Sequence, residues 1–164
     1  MRVSFDIDDT LVCRHPGARA EAGKFAALVH AVFGDPLRRG TRELVNELRA
    51  RKWSVWIYTT SNRDPWHIRL WLFLQGIRVD GVVNDERHQE EVSKLGFRSM
   101  PSKFPPAFDI DLHIDNSQGV VMEGREFGFR VLWVQPNDAR WAEKVLAAAD
   151  ALEAQAEPSP EGAA

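Results

Sequence analysis

The chain reads as an α/β protein, a three-layer, Rossmann-like sandwich around a mostly parallel five-stranded sheet. Three observations predict this. Short apolar strands alternate along the chain with helix-length amphipathic segments, an order that lays strands side by side under helices on both faces. Val55-Trp-Ile-Tyr58 is apolar throughout, as a central strand covered on both faces must be. The reactive side chains fall at strand ends, and in an open parallel sheet a ligand sits beyond the carboxyl ends of the strands.

The first strand spans residues 2–7, where Val3, Phe5 and Ile7 alternate with Ser4 and Asp6. The Gly- and Pro-containing stretch Cys13 to Arg19 breaks the pattern. Glu21 to Phe33 is predicted as a helix with Phe25, Leu28, Val29 and Val32 on its buried face, and Gly34-Asp35-Pro36 stops it. Thr41 is the expected cap of a second helix that buries Leu44, Val45 and Leu48. After the strand at 55–58, Asp64-Pro65 pairs a cap with proline at the first helical position. That helix runs to Gln75 with Ile68, Trp71, Leu72 and Gln75 facing in, and Gly76 closes it. Further strands are predicted at 77–83, 110–114 and 129–134. A last helix over 137–152 packs Trp141, Val145 and Leu146. Residues 1–152 are expected to form one domain, and the Ala/Glu/Pro-rich 153–164 a loose tail.

Composition bounds the function. With 164 residues and 44% apolar content the chain is long enough for a sizeable core. A formal net charge of −3 gives no reason to expect a nucleic-acid or anionic membrane partner. The single cysteine, Cys13, excludes an internal disulfide and any multi-cysteine metal site. Carboxylates at 6, 8 and 9 interrupt the start where a signal peptide needs an apolar run, and no stretch is long enough for a membrane span, so a cytoplasmic setting is expected.

The chemistry is carried by Phe5-Asp-Ile-Asp-Asp-Thr-Leu11. Asp6 and Asp8 are two residues apart, and a turn after Ile7 swings Asp8 over a pocket while freeing its carbonyl. Carboxylates at a strand end are poor packing material but hold a hard cation well beside an oxygen nucleophile. Phosphoryl chemistry needs a nucleophile, an acid/base, a cation and donors for the transferring oxygens. Asp6 fits the first role and Asp8 the second. Asp6, Asp115, the Asp8 carbonyl and Asn116 are the candidate Mg2+ ligands. Thr59 and Lys103 are the candidate donors, with Thr60 as the register alternative to the first and Lys94 as the second choice to the other.

These motifs resemble those of the haloacid dehalogenase-like (HAD) superfamily of hydrolases. Asp-x-Asp-x-Thr matches Asp6, Asp8 and Thr10. An apolar strand ending in Thr or Ser matches Val55 to Thr59, a lysine ahead of the fourth strand matches Lys103, and an acidic strand end matches Leu112-His-Ile-Asp-Asn-Ser117. The likeness covers about residues 1–135 and is most specific in the first and last motifs. It implies a phospho-aspartate at Asp6, general acid/base work by Asp8, a metal ligand at Asp115 and a structural Thr10. Asn116 stands where the family often has a second acid and supplies an oxygen without charge. A carboxylate at Asp8 argues against the dehalogenase branch, which attacks carbon and needs no such acid. The short intervals between motifs resemble the compact, capless magnesium-dependent phosphatase type.

The expected activity is a Mg2+-dependent phosphomonoesterase acting on a phosphorylated small molecule or macromolecule. A phosphotransferase of the same fold and a catalytically weak binding protein are the alternatives. Among the remaining residues, Arg63 could meet substrate phosphate or be a solvated loop residue. Trp66 reads as packing rather than as the mouth of the site, and His15 as surface. His88 sits in a charged loop–helix run, and His113 reads as a satisfied core histidine. Asp109 and Asp111 lie at the wrong end of their strand for the site, and Cys13 has no base set up beside it.

Overall fold

A computed structural model describes residues 1–12, 14–22 and 24–156. The expectations for Cys13, for the side chain of Phe25 and for residues 157–164 lie outside the described residues. Five strands, β1 (Arg2–Phe5), β2 (Ser54–Tyr58), β3 (Gly81–Val83), β4 (Leu112–Asp115) and β5 (Val131–Trp133), form one sheet in the order β3-β2-β1-β4-β5. Every pairing is parallel. The helices are α1 (Lys24–Phe33), α2 (Thr41–Ala50), α3 (Pro65–Leu74), α4 (Asp85–Val92), α5 (Gln118–Phe127) and α6 (Trp141–Ala156). The predicted mostly parallel α/β sandwich is the observed architecture.

Alternation along the strands builds two unlike layers. Val3, Phe5, Val55, Ile57, Leu112 and Ile114 join a large core with Leu44, Val45 and Leu48 of α2, Ile68, Trp71 and Leu72 of α3, and Trp141 and Val145 of α6. The opposite face carries Tyr58 and Val83 in a smaller core with Val92, Phe108 and Ile110. On that second face β1 and β4 present Ser4 and His113, both fully buried. At the sheet edge Gly81 lies opposite Trp56, and a Cβ there would fall 2.2 Å from the indole. Glycine is what lets that ring lie across β3.

Several local expectations change. The strands are shorter than the apolar runs: β3 starts at Gly81 rather than at 77, and β1 ends at Phe5. Helix α1 buries Ala26 and Val29, while Leu28 and Val32 are exposed. Its sequence is apolar nearly all round, and a helix without a polar face has no periodicity to say which side packs. Thr41 is not a side-chain cap. Gly40 occupies the N-cap position in the left-handed region, Thr41 Oγ1 donates to Arg38 O at 2.6 Å, and Glu21 accepts from the Gly40 and Arg42 amides at 3.1 Å each. Asp64 does cap α3, accepting from the Trp66 and His67 amides. The last helix begins at Trp141 and continues to Ala156, four residues into the segment expected to be loose. Helix α5 is an addition to the predicted elements. Ser117 caps it and Gly128 ends it, but it buries little beyond Val120 and Gly124, too narrow a stripe to read from sequence.

Candidate active site

The sheet order reverses at β1: the chain adds β2 and β3 on one side, then returns to place β4 and β5 on the other. A crevice opens at such a switch point, between the ends of β1 and β4. Asp6 lies one residue beyond β1, and its amide donates to Ile114 O of β4 at 3.0 Å. That bond fixes Asp6 beside Asp115, the last residue of β4.

Lys103 joins the two carboxylates. Its Nζ donates to Asp6 Oδ1 at 2.6 Å and to Asp115 Oδ2 at 2.7 Å, so the two carboxylate oxygens lie no further apart than those distances combined. The polar line continues beneath them. His113 Nε2 meets Asp115 Oδ2 at 2.9 Å, and His113 Nδ1 meets Ser4 Oγ at 2.8 Å, a contact set by the register that pairs Ser4 with His113. The remaining oxygen of Asp115 accepts from the Ser117 amide at 2.7 Å. The loop carrying Lys103 is itself fastened. Glu123 of α5 accepts from the Ser102 amide and hydroxyl at 2.8 and 2.7 Å, and Tyr58 Oη accepts from the Phe104 amide at 2.8 Å.

Asp8 is placed differently. After Ile7 the chain turns back on itself: Ile7 O accepts from the Leu11 and Val12 amides at 3.0 and 2.8 Å, and Asp9 takes a φ of 58°. A non-glycine residue there costs about 1–2 kcal/mol, strain of the kind that gathers at functional turns. The turn carries Asp8 to the solvent side, where Arg63 grips both its oxygens at 2.8 and 2.9 Å. Arg63 also lies 3.8 Å from Asp35, which pairs in turn with Arg14.

Thr59 is buried at the end of β2 and its Oγ1 accepts from the Ser61 amide at 3.2 Å, leaving the hydroxyl proton to donate; Thr60 is exposed. Thr10 is buried and its hydroxyl donates to Asn116 Oδ1 at 3.3 Å. Lys94 stays on the surface with Glu91. The structure therefore brings Asp6, Lys103 and Asp115 into direct contact, with Asp8 and Asn116 on the adjoining loops.

Other sequence readings are revised. Trp66 does not pack: it is 72% exposed on the first turn of α3. His88 is not on a charged outer face but buried, with Nδ1 2.5 Å from Tyr58 Oη. His113 is a satisfied core histidine that also touches Asp115. Asp111 accepts from the Arg2 amide at 2.7 Å at the opposite edge of the sheet. Glu123 and Tyr58 were not legible as site residues, because nothing local marks a residue that acts by holding a distant loop. A cavity of about 900 Å3 opens elsewhere, between the length of α2 and the start of α6, and includes none of the residues gathered around Asp6.

The electrostatics separate the two buried carboxylates. Burial pushes Asp6 from its ordinary 3.8 up to about 6, against the pull of Lys103 and with a further push from Asp115. Burial acts upward on Asp115 too, but the His113 hydrogen bond and the Lys103 charge outweigh it and hold Asp115 below its ordinary value. Burial and the Lys103 charge push His113 down to about 4, so near neutrality it is an uncharged imidazole. Its Nε2–H then donates to Asp115, while Nδ1 accepts from Ser4. Arg63 is raised above its usual value, first by its bonds to Asp8, then by the charges of Asp8, Asp35 and Asp6.

No family model matches this sequence, and no curated protein matches it. Solved structures do match in fold. A structure described as a predicted HAD-like family hydrolase from Porphyromonas gingivalis is 14% identical with a TM-score of 0.50, over 92% of this chain and 97% of that one. A chain of the Pnkp1/Rnl/Hen1 complex is 16% identical, also with a TM-score of 0.50, over 84% of this chain and 46% of that one. At such identities the likeness is one of architecture: the chain has a HAD-like α/β fold.

Proposed function

We propose that this chain is a Mg2+-dependent phosphomonoesterase working through Asp6. The observation that supports it best is the meeting of Asp6 and Asp115, from neighbouring strand ends, on one buried lysine at the switch point of the sheet. Burying two carboxylates side by side is costly for a fold and serves no packing purpose. It suits a site that handles a phosphoryl group.

Among the described residues no three Asp, Glu, His or Cys side chains cluster as a metal site. The donors that do converge are the Asp6 and Asp115 carboxylates, with Asp8 and Asn116 next to them as sources of carbonyl oxygen. An all-oxygen set with only two carboxylates fits Mg2+, which keeps several waters, and does not fit zinc. Bound there, Mg2+ would offset the repulsion between the anionic nucleophile and the anionic substrate.

The chain's own residues supply the rest. An Asp6 oxygen attacks phosphorus, and the bond from phosphorus to the ester oxygen breaks as that oxygen takes a proton from Asp8. Water then attacks the aspartyl phosphate and gives a proton to Asp8. The bond from phosphorus to Asp6 breaks, and inorganic phosphate leaves. Lys103 and the Thr59 hydroxyl hold charge on the transferring oxygens. Asp8 is half-exposed, so a phosphorylated small molecule or macromolecule could reach it from solvent.

The test is a panel of phosphorylated metabolites, nucleotides and phosphopeptides with Mg2+ present or chelated, read as phosphate release. Turnover that needs Mg2+ and vanishes in Asp6→Asn is the expected result. Undiminished turnover in Asp6→Asn rejects the assigned nucleophile, and release that requires an added acceptor favours phosphoryl transfer over hydrolysis.

A further inference from the structure

We infer that Arg63 is a phosphoryl-binding residue that is parked on Asp8 until substrate arrives, and that the incoming anion takes it over and frees Asp8 to act. This rests on the reading of Asp6 as the phosphoryl acceptor and adds to it how the site admits its substrate.

Three observations carry it. First, both Asp8 oxygens accept from Arg63, at 2.8 and 2.9 Å, so the carboxylate is held against the guanidinium rather than turned to a leaving group while the pair is closed. An acid/base residue held that way must be released before it works. Second, the two cations near Asp6 differ in how far they can respond. The Lys103 side chain is 3% exposed and committed to two buried carboxylates, whereas those of Arg63 and Asp8 are 28% and 47% exposed. Arg63 is the cation that can turn to a new anion without uncovering a buried charge. Third, Arg63 is anchored independently of Asp8. Its amide donates to Ser61 Oγ at 3.2 Å, its carbonyl accepts from Asn84 at 3.4 Å, and Asp35 lies 3.8 Å from its guanidinium.

Chemistry makes the exchange favourable. A guanidinium binds carboxylate and phosphate through the same two-pronged geometry, and a phosphoryl dianion carries more charge than a carboxylate. The carboxylates at 6, 8 and 115 outnumber Lys103 and Arg63 by one, so a cation that turns from a carboxylate to the arriving dianion gives that anion a direct positive partner. The exposed pair is the weaker of the two arrangements and opens first.

Calorimetric titration of the full chain with inorganic phosphate, at saturating Mg2+, tests the handover. Arg63→Ala and Arg63→Gln should each weaken phosphate binding about tenfold or more, with the thermal midpoint little changed. Arg63→Lys should restore only part of the loss, because an ammonium lacks the fork. A crystal structure with phosphate bound should show the guanidinium on the anion and off Asp8. Unchanged affinity in the Arg63 variants, no measurable phosphate binding by the unmodified chain, or a phosphate complex with Arg63 still on Asp8 each overturns the inference. The hydrolase reading fails separately. If no substrate is turned over yet the Arg63 variants lose phosphate, the handover stands without the hydrolysis. If turnover is normal and phosphate affinity does not depend on Arg63, hydrolysis stands without the handover.

Discussion

Two ion pairs meet at this site, one buried and one at the rim, and they are built for different work. Beneath the sheet edge, Lys103, Asp6, Asp115, His113 and Ser4 form a continuous hydrogen-bonded line in which every member is buried. At the rim, Arg63 and Asp8 make an equally well-formed bidentate pair in contact with solvent. Similar distances conceal unlike energetics. A buried charge that loses its partner has no water to turn to, whereas an exposed one is resolvated at once. The first arrangement fixes geometry; the second can exchange partners.

The largest predicted effect comes from breaking the buried line at its centre. Lys103→Met should destabilise the fold by about 3–5 kcal/mol in urea denaturation at pH 7.5, because two neighbouring carboxylates are left without their cation. A loss below about 1 kcal/mol would show that water already reaches the cluster and would erase the contrast with the rim.

The two carboxylates on Lys103 should respond to pH in opposite senses in metal-free protein. For Asp6 the folded-state pKa is raised to about 6, so its ionisation opposes folding; the deficit is absent below about pH 4 and complete above about pH 6. Asp6→Asn removes that deficit and should gain stability on the unmodified chain as pH rises across this window, while losing turnover. Asp115 has its pKa lowered, so its ionisation supports the fold above the ordinary value and the support fades as pH falls below it. Asp115→Asn should therefore be the less stable variant at pH 7.5, with the difference shrinking under acid conditions. Thermal midpoints across pH 3–8 check both signs, and parallel curves for the two variants would contradict them.

The smallest effect belongs to the rim. Arg63→Ala should cost about 0–1 kcal/mol of stability and less still in high salt, even though its effect on phosphate binding is large. A stability loss as great as that of Lys103→Met would make the two pairs alike and remove the case for an exchangeable arginine.

How much of this was legible in the sequence follows from how local each signal is. Strand ends announce themselves, since period-two alternation through Val3, Phe5 and Ile7 breaks into carboxylates within a few residues. Asp6, Thr59 and Asp115 could be placed on one sheet edge from that alone, because parallel strands point their carboxyl ends the same way. The choice of Lys103 over Lys94 was not local. It depends on a loop that Glu123 and Tyr58 hold from other elements. Helix α1 shows the same limit in packing: its apolar surface runs too far round the helix for periodicity to reveal that Leu28 and Val32 face water.

By itself, then, the sequence determined a parallel α/β sandwich and a row of oxygen-bearing strand ends, because alternation, caps and turn residues act over a few neighbouring positions. Only the tertiary structure decided that Lys103 would lie between Asp6 and Asp115, that His113 would support one of them, and that Arg63 would grip Asp8. Those contacts join residues up to 97 positions apart. Charge and hydrogen bonding act through space, and no pattern along the chain records which distant partner the fold will deliver.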